Sequence, residues 1–255
     1  MTIPIGNALA AALLDLFFPG FCLGCATRLR ADLRSQPLLL CPRCRGQLRA
    51  VRARGRCPTC VRALPPAAGQ ATCAGCRSSP PPFDRLLAAW SYRPPLDRVL
   101  LALKFARLEF LAEDLVALAI DGEALGAAEP WDLAVPVPLA PWRRLARGFN
   151  QAERLAAALS TRLGLPCREA LARRDLAPTP QTLLGGRQRR QLRPGRMRVR
   201  RPEQVRGRRV LLVDDVATTG ATLVAASATL IGAGAASVTA FAFALTPLPG
   251  VARLS

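Results

Sequence analysis

The sequence predicts an α/β fold, a parallel sheet with helices on both faces, preceded by a small cysteine-rich module. Two patterns support this fold class. After residue 82, short apolar runs alternate with segments of helical periodicity, as in parallel sheets whose two faces are both covered. Before that point, eight of the nine cysteines fall into four C-x-x-C pairs. A chain of 255 residues is long enough for one ordinary domain and a small module.

Three segments of the chain differ in composition. Residues 1–20 are apolar, and their spacing predicts an amphipathic helix that packs on the body of the protein. Residues 21–80 hold the cysteine pairs and end at a proline-rich linker, and residues 83–255 form the α/β domain. The first segment has no basic n-region and is short for a membrane span, so neither a secretory signal nor a transmembrane segment is predicted. The expected location is the cytoplasm, with peripheral contact at the inner face of the membrane as the alternative.

Local patterns predict each element of the α/β domain. Apolar runs predict strands at 85–92, 132–138, 210–213 and 238–245. Apolar residues at helical spacing predict helices at 94–120, 150–163 and 221–233. Gly164 is expected to cap the second of these helices. Residues 178–201 are rich in Pro, Gly and Arg without an apolar period, which predicts a long exposed loop.

The cysteine pairs predict two structural zinc sites. Each C-x-x-C turn places two thiolates on one metal ion, and the intervals of 15 and 12 residues between successive pairs suit zinc ribbons. Without an export signal, paired cysteines also favour metal ligation over disulfides. Sequential pairing gives one site from Cys22, Cys25, Cys41 and Cys44 and a second from Cys57, Cys60, Cys73 and Cys76. A cross-braced pairing, an iron–sulfur cluster and a degenerate site are the alternatives.

The charge of the chain is strongly positive, with a formal net charge of +19 and Lys104 as the single lysine. Guanidinium groups form bidentate hydrogen bonds with phosphates, so such a surface attracts polyanions, including single-stranded DNA. Arginine-rich composition also arises in GC-rich genomes, and composition does not separate the two explanations. Aromatic rings for base stacking are scarce among the cysteines, which argues against single-strand readout by that module.

A short apolar strand, Val210–Val213, runs into two acids and a turn of small residues. The turn and the following helix expose backbone N–H groups to a phosphate, and the acids can accept hydrogen bonds from ribose hydroxyls. The motif consists of Asp214, Asp215, Ala217, Thr218, Thr219, Gly220, Ala221 and Thr222. P-loop ATPases also have an acidic strand, but no G-x-x-x-x-G-K-[ST] motif surrounds Lys104. A plain strand–turn–helix with capping side chains leaves the clustering of two acids and three threonines unexplained.

The segment Val210–Thr222, VLLVDDVATTGAT, resembles the phosphoribosyl-pyrophosphate (PRPP) loop of type I phosphoribosyltransferases, and the wider chain resembles the ComF family of competence proteins. The resemblance covers almost the whole length. Besides the loop and the cysteine pairs, it includes PPFDR at 81–85, LKF at 103–105, VPVP at 135–138, RGFNQ at 147–151 and PTPQ at 178–181. It implies a type I phosphoribosyltransferase-like parallel sheet with an N-terminal double zinc ribbon.

Carried over by position, the resemblance implies roles for individual residues. Asp214 and Asp215 hold the ribose hydroxyls, and Ala217 to Thr222 hold the 5′-phosphate. The loop after 135–138 corresponds to the pyrophosphate loop of related enzymes, and 178–201 corresponds to a mobile flap. The pyrophosphate candidates are Arg143, Arg144, Arg147 and Gly148, and the flap candidates are Gln181, Arg187 and Arg190. No catalytic residue is assigned, because the chain has no histidine and no base for an acceptor is identifiable.

The function implied is that of a competence protein that binds PRPP or a similar phosphoribosyl ligand with Mg²⁺ and acts in DNA uptake and natural transformation. The resemblance also suggests a DNA-translocating helicase as partner. One alternative is a true phosphoribosyltransferase of nucleotide salvage, in which Mg²⁺ neutralises the departing pyrophosphate. Another is a zinc-dependent nucleic-acid-binding adaptor with a vestigial phosphate loop. The acceptor and the oligomeric state stay open.

Overall fold

A computed structural model describes residues 20–29, 37–65, 71–106, 108–126, 130–173 and 197–246. The predicted N-terminal helix and most of the predicted loop at 178–201 lie outside the described residues. The strands described are β1 (Arg85–Ser91), β2 (Leu133–Pro136), β3 (Leu171–Arg173), β4 (Met197–Val199), β5 (Arg209–Ala217) and β6 (Ser237–Leu245). The helices described are α1 (Pro42–Arg45), α2 (Ala74–Ser78), α3 (Leu96–Phe105), α4 (Leu111–Asp121), α5 (Pro141–Arg147), α6 (Gln151–Leu163) and α7 (Ala221–Gly232). None of these helices combines the length and hydropathy that a bilayer crossing requires.

A four-stranded sheet forms the centre of the described residues, with the strand order β1-β6-β5-β2 and every pair parallel. Val210 lies between its two partners, Leu133 of β2 and Val238 of β6. Residues 210–213 and 238–244 are buried throughout. Continuous apolar burial is typical of parallel strands covered on both faces, and the predicted fold class is confirmed.

Alternate residues of the central strands point to opposite faces of the sheet. On one face, Leu211, Phe241 and Phe243 pack against buried residues of α3, α4 and α6. On the other face, Leu212 and Ala240 pack against α7 and against the two-stranded antiparallel sheet of β3 and β4. The helix predicted at 150–163 is confirmed as α6, and Gly164 follows it in the left-handed conformation expected of a C-terminal cap (φ +66°).

The cysteine segment packs directly on this sheet. Leu38 and Leu40 are fully buried in the core of the α3, α4 and α6 face, whereas Val61 joins the core of the opposite face. Between them, the Val51 N–H donates to the Ala89 carbonyl at 2.9 Å, so the chain runs along the outer edge of β1. Covering that edge satisfies backbone groups that an open sheet edge leaves exposed.

Between residues 94 and 201, the structure differs from the predicted secondary structure in three segments. The helix predicted at 94–120 is two helices, α3 and α4, because Ala106 leaves helical geometry (φ −87°, ψ 0°). Leucines of both helices pack into one core, so the helical spacing of the leucines in the sequence gives no sign of the break. The end of the loop predicted at 178–201 forms β4, which is too short to show a strand pattern. The pyrophosphate loop expected after 135–138 contains α5, which begins at Pro141 and ends at Gly148 (φ +83°).

Candidate functional site

The two acids of the phosphate motif lie inside β5 rather than after it. The strand continues past its predicted end to Ala217, because its pairing with β6 extends to Leu245. Each carboxylate accepts a hydrogen bond from the next backbone N–H: Asp214 from Asp215 at 2.9 Å, and Asp215 from Val216 at 2.7 Å. The acids are therefore fixed at the carboxyl end of a central parallel strand, the edge at which α/β sheets bind ligands.

The turn between β5 and α7 presents backbone donors at the same edge. Gly220 has a φ of +75°, and a Cβ added there would meet no atom within 4 Å, so backbone conformation rather than space favours glycine. Thr218 and Thr219 are exposed. Among the described residues, no acceptor contacts the backbone N–H groups of Thr218, Thr219 or Gly220. These groups, with the start of α7, form a concentration of positive dipoles that suits a phosphate.

Within the part of the chain that the structure describes, Lys104 supplies the positive charge nearest these acids. Its Nζ lies 2.6 Å from Asp215 Oδ2, and both side chains are largely shielded, at 17% and 16% exposure. Burial raises the pKa of Asp214 well above the usual value for an aspartate, and the negative charge of Asp215 adds to the rise. The charge of Lys104 opposes that rise. Asp215 is thus paired with a partly buried counter-ion, whereas the carboxyl group of Asp214 resists ionisation.

A cavity of about 530 Å³ adjoins this ion pair. Its walls come from the end of α3 and from α5: Lys104, Phe105, Trp142, Arg143, Ala146 and Arg147. The guanidinium of Arg143 lies 4.9 Å from the centre of the Trp142 ring, and that of Arg147 lies 5.0 Å from the centre of the Phe105 ring. Among the described residues, the lining contains three cations and no acid, so it is suited to an anionic ligand.

The predicted pyrophosphate residues divide between two faces of α5. Arg143 and Arg147 line the cavity with Lys104, whereas Arg144 points to the other side. There Arg144 lies 2.8 Å from Glu153 and 3.6 Å from Glu169. Burial raises the pKa of Glu153, and Arg144 partly offsets this effect. Arg144 is therefore engaged in ion pairs, and Gly148 ends the helix.

The RGFNQ segment positions α5 and α6 beneath the site. Asn150 is buried and caps α6, with its Oδ1 accepting from the Ala152 N–H at 3.2 Å. Its Nδ2 donates to the Val137 carbonyl at 3.0 Å, which fixes the chain just beyond β2. Arg147 donates to Gln151 Oε1 at 3.3 Å. These contacts give the segment a structural role in orienting the α5 side of the cavity.

The eight paired cysteines form two clusters, each with its four Sγ atoms within 4.8 Å of one another. The first contains Cys22, Cys25, Cys41 and Cys44, and the second contains Cys57, Cys60, Cys73 and Cys76. The pairing is therefore sequential, and the cross-braced alternative is wrong.

Backbone geometry around the sulfurs suits a metal site. Cys22 Sγ accepts hydrogen bonds from the N–H groups of Gly24 and Cys41, each at 3.3 Å. Ala26 and Val61, which follow the second cysteine of their pairs, have φ values of +59° and +50°. A β-branched residue rarely adopts this conformation, so the knuckle imposes it. Four converging sulfur donors fit tetrahedral zinc, and each cluster can hold one ion.

Comparison with known proteins agrees with this geometry. Residues 148–247 match the phosphoribosyl transferase domain family. The DNA utilization protein YhgH of Salmonella typhimurium is 34% identical over 229 residues, which cover 88% of this chain and 96% of that protein. Competence protein F of Haemophilus influenzae is 28% identical over 212 residues, 81% of this chain and 89% of that protein. The chain belongs to the ComF family.

Three residues of the cavity wall were not among the predicted site residues: Lys104, Phe105 and Trp142. LKF at 103–105 contributed to the family resemblance, but Lys104 was given no role. The signal that marks it is its isolation, since every other basic side chain is arginine. Phe105 and Trp142 also carried no expectation. The flap candidates Gln181, Arg187 and Arg190 lie outside the described residues.

Proposed function

We propose that this ComF-family protein binds PRPP, or a ligand with the same ribose 5-phosphate group, with Mg²⁺ at the carboxyl end of β5, and that it acts in DNA uptake. The observation that carries the proposal is the arrangement at that strand end. Two carboxylates, a turn of open backbone N–H groups and a cationic cavity adjoin one another there. A phosphoribosyl pyrophosphate presents hydroxyls, a terminal phosphate and a charged pyrophosphate, which are complementary to these three features.

The ribose 5-phosphate half of the ligand is held by β5 and the turn. The N–H groups of Thr218, Thr219 and Gly220 donate to the 5′-phosphate, with the α7 dipole favouring its charge. Asp214 and Asp215 accept from the ribose hydroxyls. Neither the Asp215 carboxylate nor the Asp214 carboxyl group needs much reorganisation, because the backbone N–H of the following residue already orients each one.

The pyrophosphate half lies toward the cavity. Lys104 and Arg147 provide the cations, and Lys104 reaches this position because it already lies against Asp215. Mg²⁺ prefers carboxylate and phosphate oxygens, so the acids at the strand end fit it as partners. When bound, Mg²⁺ neutralises charge on the pyrophosphate.

The role in DNA uptake rests on the relatives and on charge. Two relatives are named for DNA utilization and for competence, and the first aligns with nearly its whole length. The net charge of +19 favours contact with a polyanion and predicts salt-sensitive binding of single-stranded DNA. A competence helicase is the protein partner that this role implies.

Titration calorimetry with PRPP, with and without Mg²⁺, tests the phosphoribosyl part. We expect Mg²⁺-dependent binding by the wild-type protein and none by Asp215→Asn, with a cooperative thermal unfolding transition showing that the variant is folded. Absence of binding by the wild-type protein would leave the nucleic-acid adaptor as the better description. Pyrophosphate release that requires one particular added base would instead identify a transferase of nucleotide salvage.

A further inference from the structure

The outer side of α5 carries apolar groups that the phosphoribosyl proposal does not use. Trp142 is 37% exposed and Leu145 is 88% exposed, one turn apart on the same face of the helix. Phe105, across the cavity at the end of α3, is 64% exposed. Large exposed rings that adjoin a cavity mark a binding surface more often than rings that are scattered singly.

Cations accompany both rings. Arg143 lies over Trp142 and Arg147 lies over Phe105, so each ring is next to a guanidinium group held in place by a cation–π contact. Lys104 completes the positive lining. Alternation of flat rings with fixed cations matches a strand that alternates bases with phosphates, because bases stack on the rings while phosphates pair with the cations.

We propose that the α5–α3 surface, formed by Phe105, Trp142, Arg143 and Arg147, binds single-stranded nucleic acid, with a base stacked on Trp142 and a neighbouring phosphate on Arg143. An acidic protein would pair with the cations but would not use the planar rings in this way. The inference rests on the nucleic-acid part of the proposed function, and its surface shares Arg147 with the pyrophosphate end of the phosphoribosyl site. It places the strand beside the phosphoribosyl site, since Lys104 borders both.

Tryptophan fluorescence tests the site directly. Trp142 is the one exposed tryptophan of the chain's three, since Trp90 and Trp131 are each only 7% exposed. Quenching by a short oligothymidylate therefore reports stacking on Trp142. We expect quenching in the wild-type protein and its loss in Trp142→Phe, which keeps a stacking ring and most of the affinity. Trp142→Ala is expected to weaken binding roughly 5- to 100-fold, measured by fluorescence anisotropy of labelled oligonucleotide.

The salt dependence provides a second readout with a matched control. Arg143→Gln is expected to lower the slope of log affinity against log salt by about 0.7, the value for one phosphate contact on a single strand. Arg162→Gln removes an equal charge from the exposed end of α6 and is expected to leave the slope unchanged. Zinc content and near-ultraviolet circular dichroism confirm that each variant is folded.

Three outcomes would overturn the proposal. Binding of oligonucleotide without quenching would place the strand elsewhere on the protein. Wild-type affinity in Trp142→Ala would remove the stacking contact. Quenching by an acidic peptide but not by oligonucleotide would identify a protein partner instead. Parallel titrations with oligouridylate distinguish DNA from RNA as the bound strand. Binding of DNA at least as tight as binding of RNA supports the role in DNA uptake, and binding of RNA alone contradicts that role. The variants used here change Trp142 and Arg143, to which the phosphoribosyl proposal gives no role. PRPP calorimetry can therefore fail while these oligonucleotide results stand.

Discussion

Lys104 Nζ lies 2.6 Å from Asp215 Oδ2, which joins the end of α3 to the acidic end of β5. The chain has no other lysine, and this one lies between the phosphate motif and the cationic cavity. A flexible ammonium group can exchange one anionic partner for another with little rearrangement of the backbone. A ligand that engaged Asp215 would therefore release Lys104 to pair with an anionic group of the same ligand in the cavity.

Replacing Lys104 with methionine is expected to weaken PRPP binding more than ribose 5-phosphate binding, because only PRPP carries the pyrophosphate. A hydrogen bond to a charged group contributes about 1.5–3 kcal/mol, which corresponds to roughly 10- to 150-fold in affinity. Titration calorimetry with each ligand measures the difference. Lys104→Arg keeps the charge and should retain most of the affinity. If Lys104→Met weakened both ligands equally, Lys104 would be acting only by orienting Asp215.

Gly220→Val is expected to abolish PRPP binding, and Gly220→Asn is the matched control. The φ of +75° disfavours a β-branched residue, although a Cβ itself meets no neighbour within 4 Å. Valine should therefore shift the turn away from the phosphate, whereas asparagine tolerates the left-handed conformation and should retain binding. Calorimetry measures affinity, and thermal unfolding shows that both variants are folded. Normal PRPP binding by Gly220→Val would mean that the turn does not hold the phosphate.

The raised pKa of Asp214 predicts a dependence of stability on pH. Burial and the charge of Asp215 lift its pKa in the folded protein above its value in the unfolded chain. The folded state therefore binds the proton more tightly, and the contribution of Asp214 to stability is lost as pH rises through the raised pKa. Asp214→Asn, which stays neutral, should raise the melting temperature at neutral pH and change it little at low pH. An equal effect at both pH values would contradict the assignment to ionisation.

Contiguous residues encode most of what the sequence predicts correctly. The apolar run Val210–Val213 identifies a buried strand, and the small residues that follow the acids mark the turn before α7. The cavity was not predicted, because it brings Lys104 together with residues of α5 that are distant in sequence. The break between α3 and α4 was not predicted either, because it depends on how the two helices pack into one core. A single sequence records periodicity but not the tertiary contact that interrupts it.

Gly24→Ala is expected to disrupt one cysteine cluster, whereas Gly75→Ala serves as a matched control. Both glycines occupy the third position of a C-x-G-C turn. A Cβ on Gly24 would lie 2.8 Å from Cys44 Sγ and 2.9 Å from Pro95 Cβ, so the sulfur ligand or the start of α3 must move. A Cβ on Gly75 meets only Cys73 Sγ, at 3.9 Å, an ordinary contact.

Metal analysis of the purified proteins measures the outcome. By the rule of four thiolates per structural zinc, the wild-type protein and Gly75→Ala should each hold about two zinc ions, and Gly24→Ala should hold about one. Gly24→Ala should also unfold at lower temperature, because the first cluster packs in the core that contains Leu96 and Leu100. Iron in place of zinc would overturn the zinc assignment. Full zinc content in Gly24→Ala would show that the first cluster adapts to the added methyl group, contrary to the tight packing around Cys44.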